Sequence, residues 1–224
     1  IYIGGGTPTT LLPEQMDRLL GKLESVLDYS HLRELTVESG RPDSITPAKL
    51  AVMKKHHVSR ISVNPQTMHD KTLKMIGRQH TVQQTIDAYY MAREQGFDNI
   101  NMDIILGLPG ETEDDVRTTM EEIRKLRPDD LTVHSPAIKR ASRLQEWIRE
   151  NGIKTINNTD DMMRIAAEGA DRMGLKPYYL YRQKNMAGNF ENTGYAVEGK
   201  AGIYNILIME EKEAIIGLGA GSVS

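Results

Sequence analysis

The chain has 224 residues, 39% of them hydrophobic, with a net charge of −3. That is enough for a sizeable core, and too little charge to demand nucleic acid or an anionic membrane as partner. The absence of cysteine excludes disulfides, thiol nucleophiles and thiolate-bound metal within these residues, and no apolar run approaches the ~20 residues of a membrane span.

In chain order, Tyr2–Ile3 reads as a strand that runs into Gly4, Gly5 and Gly6, then Thr7-Pro8-Thr9. Such a run either takes backbone conformations closed to other residues or lets a ligand lie against the main chain. Met16, Leu19, Leu20, Leu23, Val26 and Leu27 form a helical stripe opened by Pro13, and Thr46-Pro47 opens a second helix through Leu50 and Met53. Thr81 with Gln84, and Thr112 with Asp115, have capping-box spacing ahead of two further helices. Met162, Ile165, Ala166, Ala170 and Met173 make a later stripe. Between the helices fall strand-like runs at 34–38, 60–64, 99–106, 130–135 and 175–180. Residues 203–209 and 214–218, flanking MEEKEA, read as a β-hairpin. Alternating strands and helices predict parallel α/β structure. Ile1 lies inside a strand and the chain stops in a glycine-rich run, so the sequence is expected to be a piece of a longer protein.

Strand side chains alternate with period two. Leu35 and Val37 oppose Glu34, Thr36 and Glu38; Ile61 and Val63 oppose Arg60, Ser62 and Asn64. Ile100, Met102 and Ile104 oppose Asn99, Asn101 and Asp103; Leu131 and Val133 oppose Thr132 and His134. A doubly wound sheet would show nearly continuous apolar strands, and an ordinary eight-stranded barrel would fill its lumen with branched apolar residues. The pattern instead suits a wide or incompletely closed barrel with a polar lumen. An open sheet with one wet face is the other arrangement it allows. Unpartnered polar groups in a dry lumen would each cost about 1–3 kcal/mol, so the lumen is expected to hold a polar ligand or ordered water.

Glu38, Gln66 and Asp103 end strands, or closely follow them, on the edge that carries Gly4–Thr10. Carboxylates there accept bonds from ribose hydroxyls or an amine. Arg78 could pair bidentately with a ligand carboxylate, and is locally at least as compatible with a solvated arginine ahead of a helix. Lys139, Arg140, Arg143 and Arg182 follow strand ends and could receive acidic substituents of a substrate; each is equally compatible with a solvated loop. GLPGET, at 107–112, reads as a structural turn. GLGAG, at 217–221, lacks the spacing of a dinucleotide fingerprint. The histidines show no metal-ligand spacing, and His134 is the one that faces the proposed lumen.

The segments IGGGTPT, TVESG, RISVNPQTMHDKTLKMIGRQHT, NINMDIILGLPGET and GLGAGS, in this order, resemble the oxygen-independent coproporphyrinogen III oxidase branch of the radical S-adenosylmethionine (SAM) enzymes. HSPAIKRASRL and PYYLYRQKNMAGN are most similar to its HemZ-type subgroup. The HNxxYW-like motif of the haem-chaperone subgroup is not found. The resemblance implies a partial (β/α)6 TIM-like barrel over residues 1–180, truncated at its N-terminal first strand, which would precede Ile1, and at 181–224 the start of a substrate-side extension bearing the hairpin. It implies SAM and a 4Fe-4S cluster as cofactors, the cluster held by a CxxxCxxC loop outside this chain. By motif position Gly5, Gly6, Thr7 and Glu38 would contact SAM. Gln66, Arg78 and Asp103 match positions that hold a second SAM, and Ala137 and Val223 align with further contacts. The implied reaction is oxidative decarboxylation of coproporphyrinogen III propionates to vinyls, giving protoporphyrinogen IX. It would take place in the cytoplasm with flavodoxin or ferredoxin as electron donor, without nucleic acid or membrane. The basic cluster would then meet substrate propionates. The alternatives are a haem chaperone or other radical SAM relative, or a cofactor-free barrel that only binds a metabolite.

Overall fold

The structure is a computed structural model that describes residues 1–135, 158–181, 190–211 and 213–219. Its centre is a seven-stranded sheet in the order β1-β2-β3-β4-β5-β7-β6. The strands are β1 Tyr2–Ile3, β2 Thr36–Val37, β3 Arg60–Ser62, β4 Ile100–Ile105, β5 Asp130–His134, β6 Lys176–Tyr181 and β7 Asn192–Ala196. The first five pair in parallel. β7 is antiparallel to both β5 and β6, so it slots between them; lying beyond residue 180, it still belongs to the sheet.

The helices are α1 Pro13–Val26, α2 Pro47–Lys55, α3 Asp70–Met75, α4 Val82–Glu94, α5 Glu113–Leu126, α6 Asp160–Arg172 and α7 Ile203–Glu210. Local sequence sets their starts. Pro13 occupies the first turn of α1, where its missing N–H costs nothing. Thr81 and Thr112 form the expected reciprocal boxes with Gln84 and Asp115. The α1 stripe is narrower than its spacing predicts: Met16 and Leu20 are buried, while Leu19, Val26 and Leu27 are exposed.

The two faces of the strands part as their alternation requires. Leu35, Val37, Ile61, Val63, Ile100, Met102, Ile104, Leu131 and Val133 are all within 2% of full burial, packed with residues of the surrounding helices. The opposite, polar face turns inward. Tyr2 of β1 and Tyr179 of β6 line one cavity of about 170 Å³, so the sheet curls until its two ends approach each other.

The expected hairpin at 203–209 and 214–218 is not there. Residues 203–210 form α7, and 214–218 take no regular structure. A short apolar run is ambiguous between strand and helix, and a distant side chain decides it. The buried Glu34 carboxylate accepts from Ile203 N–H at 2.9 Å and Tyr204 N–H at 3.4 Å, satisfying two donors at the helix N-terminus. Glu211, with φ +49°, ends the helix. α7 thereby spans the gap between β1 and β6: Tyr204 stacks on Tyr2 at 4.1 Å, and Asn205 Nδ2 donates to Tyr178 Oη at 3.2 Å.

Candidate active site

The site sits at the C-terminal ends of the parallel strands, where a barrel exposes its functional loops. A Cβ on Gly4 would lie 2.3 Å from the Tyr2 ring and 2.6 Å from Glu38 Oε2, so packing admits only glycine there. Gly5 has φ +97°, a conformation that L side chains rarely adopt. A Cβ on Gly5 or Gly6 would meet nothing within 4 Å. One glycine is thus fixed by its neighbours, and the next two leave main chain open to a ligand.

The loop is fastened from behind. Thr9, fully buried, donates from Oγ1 to the Ser39 carbonyl at 2.9 Å. Lys49 Nζ donates to the Thr9 and Ser44 carbonyls at 2.5 and 3.0 Å. The glycine loop and the loop after β2 are thereby held as one unit.

Glu38 is half-buried and accepts from Tyr2 Oη at 3.0 Å and from the Gly5 amide. Burial raises its pKa above the usual carboxylate range, with the Tyr2 hydrogen bond opposing. Asp103 accepts from Asn64 Nδ2 at 2.8 Å and Asn101 Nδ2 at 2.7 Å, and His134 Nε2 lies 3.6 Å away. Burial pushes Asp103 up, but His134, Asn101 and Arg60 more than offset it and hold the carboxyl below its ordinary value. The cavity between these groups is also lined by Thr36, Ser62 and Thr132. Tyr179 closes one side, its ring packed against Gly194 where a Cβ would clash at 1.9 Å; burial pushes its hydroxyl up to about 12. Below, Arg60 and Asp130 form a buried ion pair at 2.7 Å, and Tyr178 Oη donates to the same Asp130 oxygen at 2.8 Å.

Of the residues expected at the site, Gly5, Gly6, Glu38 and Asp103 are brought together around this mouth. Thr7 precedes a short 3-10 helix at Pro8–Thr10, with its carbonyl accepting from Thr10. Gln66 is buried, with φ +68°; its backbone N–H donates to the Asp103 carbonyl and its carbonyl accepts from Ile105. Gln66 therefore extends the sheet beside Asp103, with a strained backbone of the kind that gathers at functional sites. Arg78 is exposed at the rim, within reach of the charges of Arg41, Asp103 and Asp43. Ala137, Val223, Lys139, Arg140, Arg143 and Arg182 lie outside the described residues. Glu111 of GLPGET accepts from Thr67 Oγ1 at 2.6 Å, pinning the loop after β3, which is a structural task.

Sequence reasoning missed Tyr2, Lys49 and the Arg60–Asp130 pair. A signal for the pair existed, because both residues start strands on the lumen-facing phase.

A family model described as the radical SAM superfamily matches residues 1–123. The chain belongs to the radical SAM superfamily. It is 48% identical over its whole length to the oxygen-independent coproporphyrinogen-III oxidase-like protein HemZ of Bacillus subtilis, covering 45% of that protein. It is 29% identical, over 99% of its length and 55% of the relative, to the haem chaperone HemW of Lactococcus lactis. Its fold matches that of coproporphyrinogen III oxidase (HemN) from Escherichia coli with a TM-score of 0.74 at 21% identity, over 93% of this chain and 45% of that one. The chain thus spans about half the length of these relatives.

The superfamily implies SAM and a 4Fe-4S cluster. For SAM the residues present fit: the open backbone at Gly5 and Gly6, two carboxylates, and the buried Asn64 Oδ1 with no partner among the described residues suit a ligand rich in hydroxyl and amino donors. For the cluster this chain supplies no thiolate, having no cysteine. Among the described residues no group of three His, Asp or Glu could hold a metal ion, and no helix is long and apolar enough to cross a membrane.

Proposed function

We propose that this chain is the SAM-facing part of a porphyrinogen-oxidising enzyme, which oxidatively decarboxylates coproporphyrinogen III propionates to vinyls and yields protoporphyrinogen IX. The observation that carries the reading is the convergence of Glu38 and Asp103 on one polar cavity beneath an open glycine loop. Similarity to HemZ over the whole chain supports it. SAM, once bound with its cluster, supplies the hydrogen-abstracting radical.

The residues of this chain would bind and orient. Glu38 would accept ribose hydroxyls, with Gly5, Gly6 and Thr7 lying against the methionine part. Asp103, Gln66 and Arg78 would hold further donor and acceptor groups, up to a second SAM, with Ala137 and Val223 as added contacts. Lys139, Arg140, Arg143 and Arg182 would receive propionates. Reduced flavodoxin or ferredoxin would deliver the electron in the cytoplasm.

Identity to HemW relatives, 42% over 113 residues in the Bacillus subtilis protein, favours a second reading as a haem chaperone. An anaerobic assay of the reconstituted full-length protein with SAM and coproporphyrinogen III separates them. Appearance of vinyl product supports the oxidase. Tight haem binding without product supports the chaperone.

A further inference from the structure

The contacts of Tyr2 are not explained by the sheet alone. Its hydroxyl is aimed at Glu38 Oε2 at 3.0 Å. Its ring fills the space that a Cβ on Gly4 would need, so the glycine loop, the ring and the carboxylate are packed as a set. On its other side lies Tyr204, stacked at 4.1 Å with an interplanar angle of 11°. Tyr204 is fixed in turn, because its helix is capped by Glu34 and tied by Asn205 to Tyr178. A chain of rigid contacts therefore runs from α7 through Tyr204 and Tyr2 to Glu38.

We propose that Tyr2, braced by Tyr204, is a positioning residue that fixes the Glu38 carboxylate for its ligand, so that α7 contributes to the site without touching it. The inference rests on the reading that Glu38 receives SAM. The phenol and the Gly5 amide use only part of the carboxylate's roughly four acceptor positions and leave the rest for hydroxyl donors. A carboxylate held in one rotamer also loses less freedom on binding.

Calorimetry of SAM binding to the full-length protein tests this across pH, with Tyr2→Phe, Tyr204→Leu and Glu38→Gln. Tyr2→Phe keeps the ring and its stack and removes one hydrogen bond. It should weaken binding roughly three- to tenfold, with at most a small loss in melting temperature. Its affinity should also fall at higher pH on acidification than the wild type's, because the Tyr2 bond favours the ionised Glu38. The other groups facing Glu38 are the Gly5 amide, Asp103 and His134, with Arg60 acting on Tyr2, and all of these persist in the variant. Tyr204→Leu should weaken binding by a smaller factor in the same direction. Wild-type affinity and an unmoved pH profile in Tyr2→Phe, with Glu38→Gln weakened, would overturn the positioning role alone. Wild-type affinity in Glu38→Gln would overturn the reading of the site and this inference with it.

Discussion

The cavity has two polar ends that use the same residue types differently. At the floor, Arg60 and Asp130 are 5% and 0% exposed and pair at 2.7 Å; Tyr178 completes the set and α7 covers it. Burial works against the Arg60 charge, but Asp130, Tyr178 and Glu34 more than offset it and keep the guanidinium protonated above its usual range. At the mouth, Asn64 donates to Asp103, His134 lies 3.6 Å from the same carboxylate, Glu38 is held by Tyr2, and the neighbouring Gly5 and Gly6 are bare. The floor pairs its two charges with each other, although Arg60 Nε and Asp130 Oδ1, like Asn64 Oδ1 at the mouth, have no hydrogen-bond partner among the described residues; what sets the mouth apart is the open main chain of Gly5 and Gly6 beside its carboxylates. A polar lumen is therefore not by itself a ligand site; the end with open main chain is.

The largest effect should come from breaking the floor. Asp130→Ala leaves the Arg60 cation buried without its carboxylate, and losses of this kind run to about 3–5 kcal/mol. The double variant Arg60→Met with Asp130→Leu removes both charges and should recover most of that stability. Chemical denaturation reads both. A single variant as stable as wild type would show that the pair is solvated after all and that the two ends are alike.

Glu38→Ala and Asp103→Ala should give the reverse profile. Each should weaken SAM binding by about tenfold or more, the scale of a charge-assisted hydrogen bond, Glu38→Ala with little loss of folding and Asp103→Ala with a loss of about 1–3 kcal/mol from stranding the Asn64 and Asn101 amides, still below that of the floor. Calorimetry and thermal melts on the same samples separate the two quantities. Unchanged affinity in both variants would erase the distinction drawn for the mouth.

The contrast was half legible in the sequence. Period-two alternation told which side chains enter the lumen, because Arg60, Ser62 and Asn64 or Asn101 and Asp103 never share a face with Ile61 or Met102. Glu38 could be placed because it directly follows β2, and Asp103 because it lies on the lumen-facing phase near the C-terminal end of β4. What stayed hidden depends on how distant segments meet. Tyr2 reaches Glu38 through the parallel register that sets Ile3 beside Val37, which no spacing along the chain encodes. The run IYNILIME is apolar without a helical period, and its helix is set by Glu34, some 170 residues earlier. Asn192–Ala196 is short, opens on an asparagine and is interrupted by a glycine, yet it becomes a strand because partners on both sides satisfy its backbone. Thr9 and Lys49 lie far apart in sequence, so their carbonyl clamp is likewise tertiary.

The smallest effect tests whether the mouth is held ready at a cost. Burial raises the pKa of Glu38 in the folded protein, so the folded state binds this proton more tightly than the unfolded chain does. Stability contributed by that proton is present at low pH and is lost as pH rises through the folded value. Near neutral pH the ionised Glu38 is therefore a net burden on the fold. Glu38→Gln keeps the shape and an oxygen for Tyr2 but has no charge to desolvate. Its melting temperature should equal or exceed the wild type's at pH 7, and the difference should vanish below about pH 4, where the glutamate is protonated in both states. A variant that is less stable at neutral pH, with the deficit closing only as the buffer is acidified, would mean that the ionised Glu38 stabilises the fold and would place it with the paired charges of the floor.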